Sequence, residues 1–230
     1  MFIVSEGIQM KDKYNISKEQ NVFLAKRNIV DTIWKSANLE GITVTFPEVQ
    51  QIYDGGNVAH LRVDEIVTIN NLKHAWEFLF STLDSKIDFN YISSINSLVG
   101  SSLIESPGKI RVYEVKMAGT KWMPKIPNKS DLENLITFTS KIDNETERII
   151  TFMCMLMKLQ LFNDGNKRTS LLIANHELIR LGHGIISIAQ EDKVEFGTKL
   201  IEYYEDEEKL NPLVEFLYDK CLYGINSTTN

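Results

Sequence analysis

Apolar residues recur at helical spacing along most of the chain, which predicts a mainly α protein. Phe23, Val30, Ile33, Trp34 and Ala37 form one stripe; Ile69, Leu72, Trp76, Leu79, Phe80 and Leu83 form a second. Ser130-Asp131-Leu132-Glu133 reads as a capping box opening a third helix, continued by Leu135, Ile136 and Thr139. Residues 145–158 are apolar nearly all round and predict a central helix. A fifth helix begins near Arg168 and stops at Gly182, a residue suited to a left-handed terminator. Two more follow, one over 193–204 and one through Leu210, Leu213, Val214, Leu217, Tyr218 and Cys221. The segment 109–117 alternates instead, Ala118-Gly119-Thr120 reads as a turn, and Lys121-Trp122-Met123 follows. One short β-hairpin over 109–123 is therefore expected, leaning on the helices with one edge free. Residues 1–18 read as an irregular arm, 19–224 as a single domain and 225–230 as a frayed tail.

Composition narrows the function classes. With 43% hydrophobic and 24% charged residues in 230, the chain reads as one soluble globular domain. A formal net charge of −6 argues against DNA, RNA or an anionic membrane as partner, since each needs a positive field. Any phosphate site must then be a local basic pocket. Cys154 and Cys221 sit in apolar or amphipathic runs and read as buried thiols rather than a disulfide framework. The N-terminus lacks a signal-peptide core, and the longest apolar stretch, 149–157, is far short of the roughly 20 residues of a membrane span. A cytoplasmic protein is expected.

The chemistry concentrates in Gln160-Leu161-Phe162-Asn163-Asp164-Gly165-Asn166-Lys167-Arg168-Thr169, between two apolar helices. A plain connector needs only the Asn163–Asn166 turn. Lys167 and Arg168 at the start of the next helix oppose its dipole, unless an anion is bound there. A helix N-terminus offers free N–H groups, Gly165 permits close backbone approach and Arg168 has a guanidinium to clamp phosphate oxygens. Asp164 suits a divalent cation bridging those phosphates. A phosphate site and a structural helix–helix loop both remain open on this pattern alone.

The segment resembles the signature of the Fic/Doc (Fido) family, His-x-Phe-x-(Asp/Glu)-Gly-Asn-(Gly/Lys)-Arg, through Phe162, Asp164, Gly165, Asn166, Lys167 and Arg168. Residues 108–127 look like the family's flap, a hairpin that holds a target polypeptide, with Val115, Gly119 and Thr120 as docking positions. Ser36-Ala37-Asn38-Leu39-Glu40-Gly41 resembles its inhibitory motif, which implies Ser36, Glu40 and Gly41 as regulatory residues on a helix over 20–41. The resemblance implies transfer of AMP from ATP, with Mg²⁺, to a hydroxyl side chain of a target protein, self-modification included. It implies Asp164 as metal ligand, Gly165, Asn166 and Lys167 as anion-hole residues, Arg168 on the phosphate beyond the scissile bond and Phe162 as the loop's core anchor.

Three positions depart from that pattern, one of them Leu161, where the family usually has proline. Gln160 stands where the family places its general-base histidine, and an amide cannot keep a proton near neutral pH. His60, His74, His176 and His183 do not obviously replace it; His176 lies about 12 Å further along an ideal helix. Leu171 stands where an inhibitory glutamate usually finds a second arginine. Glu40 then pairs with Arg168, or Glu40-Gly41 simply ends a helix. Three readings follow: an AMP transferase with an altered base, a nucleotide-binding pseudoenzyme that docks a partner, and a Doc-like phosphotransferase.

Overall fold

In the computed structural model, which describes residues 10–225, the apolar stripes become helices with recognisable terminators. The first stripe is divided into α1 (Lys18–Arg27) and α2 (Ile29–Leu39), not one helix. Asn28 breaks it: its side chain donates back to the Leu24 carbonyl at 2.8 Å and its backbone leaves the helical region. The break leaves Phe23 65% exposed rather than in the core. Two helices lacked a clear stripe. One is α3 (Phe46–Tyr53), opened by a Thr45–Glu48 capping box, with Pro47 in its first turn. The other, α5 (Phe89–Val99), is capped by Asp88 but interrupted by serines. Between them runs α4 (Val63–Ser81). The cap of α6 (Lys129–Thr139) is Asn128 with Asp131, two residues earlier than the predicted Ser130–Glu133 box.

The centre is the pair α7 (Glu145–Leu159) and α8 (Asn166–Leu181), packed along each other. Against α8 lie α1, α4 and α5; against α7 lie α6 and α10 (Leu210–Phe216), and α9 (Lys193–Glu205) packs on α10. Two apolar clusters share this pair. Leu156, Leu172 and Ile173 belong to the first, Met153, Leu171 and Leu178 to the second. A π-turn, Leu217–Cys221, leads into β2 (Leu222–Tyr223), which pairs antiparallel with β1 (Ile185–Ile186). Two-residue strands leave no alternation to detect.

The expected hairpin does not form. Within 109–123 the bridge runs instead from Ile110 to Phe162 of the α7–α8 loop. Pro124 and Pro127 remove donors from the returning arm, and Val112 and Tyr113 stay exposed. The N-terminal arm is irregular but tied down over its described part, 10–17. Ile16 N donates to Gly182 O at 3.0 Å, and a Cβ on Gly182 (φ +80°) would lie 1.9 Å from Ile16 O. Residues 226–230 of the expected tail, and 1–9 of the arm, lie outside the described residues. Cys154 and Cys221 are free and buried, and burial pushes both thiols up, Cys221 to about 12. Among the described residues no helix is long and apolar enough to cross a membrane.

One charged cluster on α8 makes stability pH-dependent. Burial alone would raise the Glu177 carboxyl, but hydrogen bonds from His176 (3.0 Å) and Arg180 (2.7 Å) hold it down to about 2. A depressed carboxyl stabilises the fold above its unfolded value, and that contribution is lost as pH falls through the folded one. Melting temperature should therefore drop between about pH 4.5 and 2, and Glu177→Gln should flatten that slope.

Candidate functional site

The α7–α8 loop is built by two special conformations. α7 ends at Gln160, left-handed at φ 48° and ψ 52°, and α8 opens at Gly165, φ 75°. A Cβ on Gly165 would press on Val99 and Asn96 of α5 at 3.1–3.2 Å. The glycine thus seats the loop against α5 as well as supplying the turn. Asn166 clasps the loop: its amide donates to the Phe162 carbonyl (2.9 Å) and its Oδ1 accepts from Phe162 N (3.0 Å). Phe162 itself is 2% exposed and belongs to the core.

Two cations stand at the start of α8, beside N–H groups that a helix leaves without internal partners. The Glu40 carboxylate lies between them, at 3.3 Å from Lys167 Nζ and 3.3 Å from Arg168 Nε. Asp164 Oδ2 is 3.6 Å from the Arg168 guanidinium, and its Oδ1 accepts from Gly165 N at 2.6 Å. Arg168 is 7% exposed, whereas the Asp164 side chain is 69% exposed. Glu40 Oε1 and Arg168 Nε are buried, yet neither makes an aligned hydrogen bond among the described residues. Charge, not a fitted bidentate geometry, holds the acid there.

Glu40 is the C-cap of α2, and Gly41 (φ +89°) ends the helix, with Gly41 N on Asn38 O and Ile42 N on Ala37 O. Helix termination and pairing with Arg168 therefore coexist. Ser36 contributes its carbonyl to Glu40 N. Lys193 of α9 donates to Asn38 O and fixes this end of α2. Leu171 is packed in the second core cluster and offers Glu40 no polar group.

The Gln160 amide is 6% exposed and engaged at both ends. Its Nε2 donates to Met157 O at 2.7 Å, and its Oε1 accepts from Asn166 Nδ2 at 3.2 Å. The Tyr204 hydroxyl lies 3.5 Å away, in a site whose burial raises the phenol. No histidine reaches the loop. His176 faces Thr82 and Glu177, His183 faces Tyr14 and Glu145, His60 lies beside Glu48, and His74 is exposed on α4.

A cleft of about 500 Å³ opens over the loop. Its walls are Glu40, residues 115–118 of the flap segment, residues 163–167, and Phe196, Leu200 and Tyr204 of α9. Val115 lines it; Gly119 (φ +81°) sits near Ile201, and Thr120 donates to Glu205 at 2.6 Å. Sequence reasoning missed three residues that hold this arrangement. Asn96 donates to Asp164 O and Thr169 Oγ1, both at 3.0 Å, and accepts from Gly108 N at 2.8 Å. Arg111 ties the flap segment to Gln160, and Lys193 ties α9 to α2. An arginine within an alternating stretch was the one visible signal, and its burial was not readable there.

Residues 86–178, which include the whole loop, match the profile of the Fic/DOC family. A sequence search of curated proteins found no match. Among solved structures, a Fic domain containing signaling protein from Bacteroides thetaiotaomicron shares the fold at a TM-score of 0.71 and 15% identity, over 89% of this chain and 86% of that one. A Fic-1 fragment from C. elegans does so at 0.71 and 17%, over 90% and 64%. A Fic family protein from Desulfovibrio desulfuricans does so at 0.65 and 19%, over 89% and 66%. The chain thus spans just under two thirds of the last two, and at these identities the likeness is one of fold. The profile match over residues 86–178, with the loop inside it, and the shared helical fold make this chain similar to proteins of the Fic/DOC family.

Proposed function

We propose that this protein binds ATP with Mg²⁺ at the 160–168 loop and transfers AMP, slowly, to a hydroxyl side chain of a protein laid against the flap segment. One observation carries the reading: a carboxylate, Glu40, already lies between Lys167 and Arg168 at the start of α8. A negative group in that position occupies the place of phosphate oxygens. Asp164, exposed beside Arg168, would hold Mg²⁺ together with substrate oxygens, and the cation would neutralise phosphate charge. The attacking hydroxyl oxygen forms a bond to the α-phosphorus, the bond to the bridging oxygen breaks and pyrophosphate leaves. The hydroxyl proton passes to water, because Gln160 cannot retain it. Without a positioned base the rate forgoes about 10²- to 10⁴-fold, and binding, orientation and charge supply the rest.

A second reading, a nucleotide-binding docking module without turnover, is favoured by the engaged Gln160 amide and by exposed apolar residues Val112, Tyr113, Met123 and Ile126 on the flap segment. ATP labelled on the α-phosphate separates the two: self-labelling supports transfer, and binding without label supports docking. Label carried over only from the γ-phosphate would support a Doc-like phosphotransfer instead. Arg168→Ala should weaken ATP binding by about 1.5–3 kcal/mol, the scale of a charged hydrogen bond. Calorimetry showing no binding at millimolar ATP, in wild type and in Glu40→Gly alike, overturns the proposal.

A further inference from the structure

The flap segment lacks the cross-strand hydrogen bonds of a hairpin, yet it keeps a defined path beside the cleft. One side chain replaces them. Arg111 is fully buried, at 0% exposure, and its donors go to main-chain oxygens on three separate stretches. Its Nη1 donates to Tyr113 O on the outgoing arm, and its Nη2 to Lys125 O on the returning arm at 2.8 Å. Its Nε donates to Gln160 O at 3.2 Å, the carbonyl of the left-handed residue that ends α7. Its own backbone N donates to the next carbonyl, Leu161 O, at 3.0 Å. A planar fork with five fixed N–H donors suits this; a lysine ammonium is a point donor that cannot span both arms and the loop.

We propose that Arg111 is a positioning residue that joins the flap segment to the anion loop, so that occupancy of the loop by nucleotide sets the order of the flap. The second half rests on the nucleotide-binding reading above; the first does not. Gln160 and Leu161 lead directly into the Phe162–Asn166 clasp and from there to Lys167 and Arg168. A phosphate that fixes the loop therefore fixes the two carbonyls that Arg111 holds, and through them both arms. Burial pushes the guanidinium downward, but an arginine keeps its charge, and the carbonyl dipoles compensate it. Its role is distinct from core filling, since an apolar side chain of similar volume would fill the space and release both arms.

Limited trypsin proteolysis of the full chain tests this, with Arg111→Met and Arg111→Lys each made in wild type and in Glu40→Gly. Without ligand, cleavage after Lys116, Lys121 and Lys125 should be at least tenfold faster in the variants, while hydrogen exchange in α7 and α8 keeps its rates. With ATP and Mg²⁺, Glu40→Gly should show slower exchange in 160–169 and slower cleavage in 112–126. The Arg111 variants in that background should show only the slower exchange in 160–169. If Arg111→Met does not fold, Arg111→Lys carries the same comparison. Unchanged cleavage in 112–126 without ligand overturns the proposal, as does flap protection that persists in the Arg111 variants. If ATP protects neither segment in Glu40→Gly, the nucleotide reading fails, and the ligand-free arm alone decides the role of Arg111.

Discussion

Replacing Glu40 by glycine is expected to raise affinity for ATP with Mg²⁺ at least tenfold, measured by calorimetry. The carboxylate now neutralises Lys167 and Arg168 together, each at 3.3 Å, and a phosphate must displace it from both. Tenfold corresponds to about 1.4 kcal/mol, which is modest for a partly buried acid between two cations. The pairing is poorly aligned, which lowers the cost of displacing the acid, so wild type should still show weaker binding. The fold should tolerate the change. Residue 40 has ordinary backbone angles (φ −80°, ψ 0°), and Gly41, not Glu40, supplies the left-handed turn that ends α2. Adding Arg168→Ala to Glu40→Gly should return affinity to wild type or below. Unchanged affinity in Glu40→Gly would reduce the acid to a helix terminator.

Gln160→His should increase self-labelling from α-labelled ATP at least tenfold when made in the Glu40→Gly background. An imidazole with an ordinary pKa of about 6.5 suits a base at neutral pH, and a positioned base supplies about 10²- to 10⁴-fold. The lower expectation reflects the site. The residue sits at φ 48° and ψ 52°, a left-handed conformation that histidine adopts more readily than most residues. Asn166 Nδ2 would still reach toward it and would compete for one ring nitrogen. Leu161 is fully buried and fixes the direction of the loop at its start. Asp164→Ala in the same background should remove the gain, because the proposed metal ligand is lost. Equal labelling with and without the Gln160→His change would mean that the proton leaves by another route. Binding without label in both proteins would favour the docking module.

Much of the helical scaffold was legible because long amphipathic or wholly apolar stretches have few ways to bury themselves. α7 was visible as a run apolar on nearly every side, and α8 as a segment closed by Gly182. What escaped was short or interrupted. α3 has only eight residues, α5 carries Ser93, Ser94 and Ser97, and Asn28 cuts a stripe whose spacing continues across the break. The hairpin was misread because alternation reports that a segment is extended, not which partner it meets. Ile110 meets Phe162 rather than the returning arm.

The sequence by itself determined the mainly α class, the central helix pair and the loop from Gln160 to Arg168, since each rests on neighbours in the chain. Turn-forming residues and two cations at a helix start are local features, readable without knowing what surrounds them. Only the tertiary structure decided what those cations touch. Glu40 comes within 3.3 Å of Arg168 across more than a hundred residues, and no spacing rule links them. The same holds for Arg111 on Gln160 O, Asn96 on Asp164 O and Lys193 on Asn38 O. Each of these bonds satisfies a carbonyl or charge left over where a helix or loop ends, and its partner is whichever donor the packing of the helices brings there.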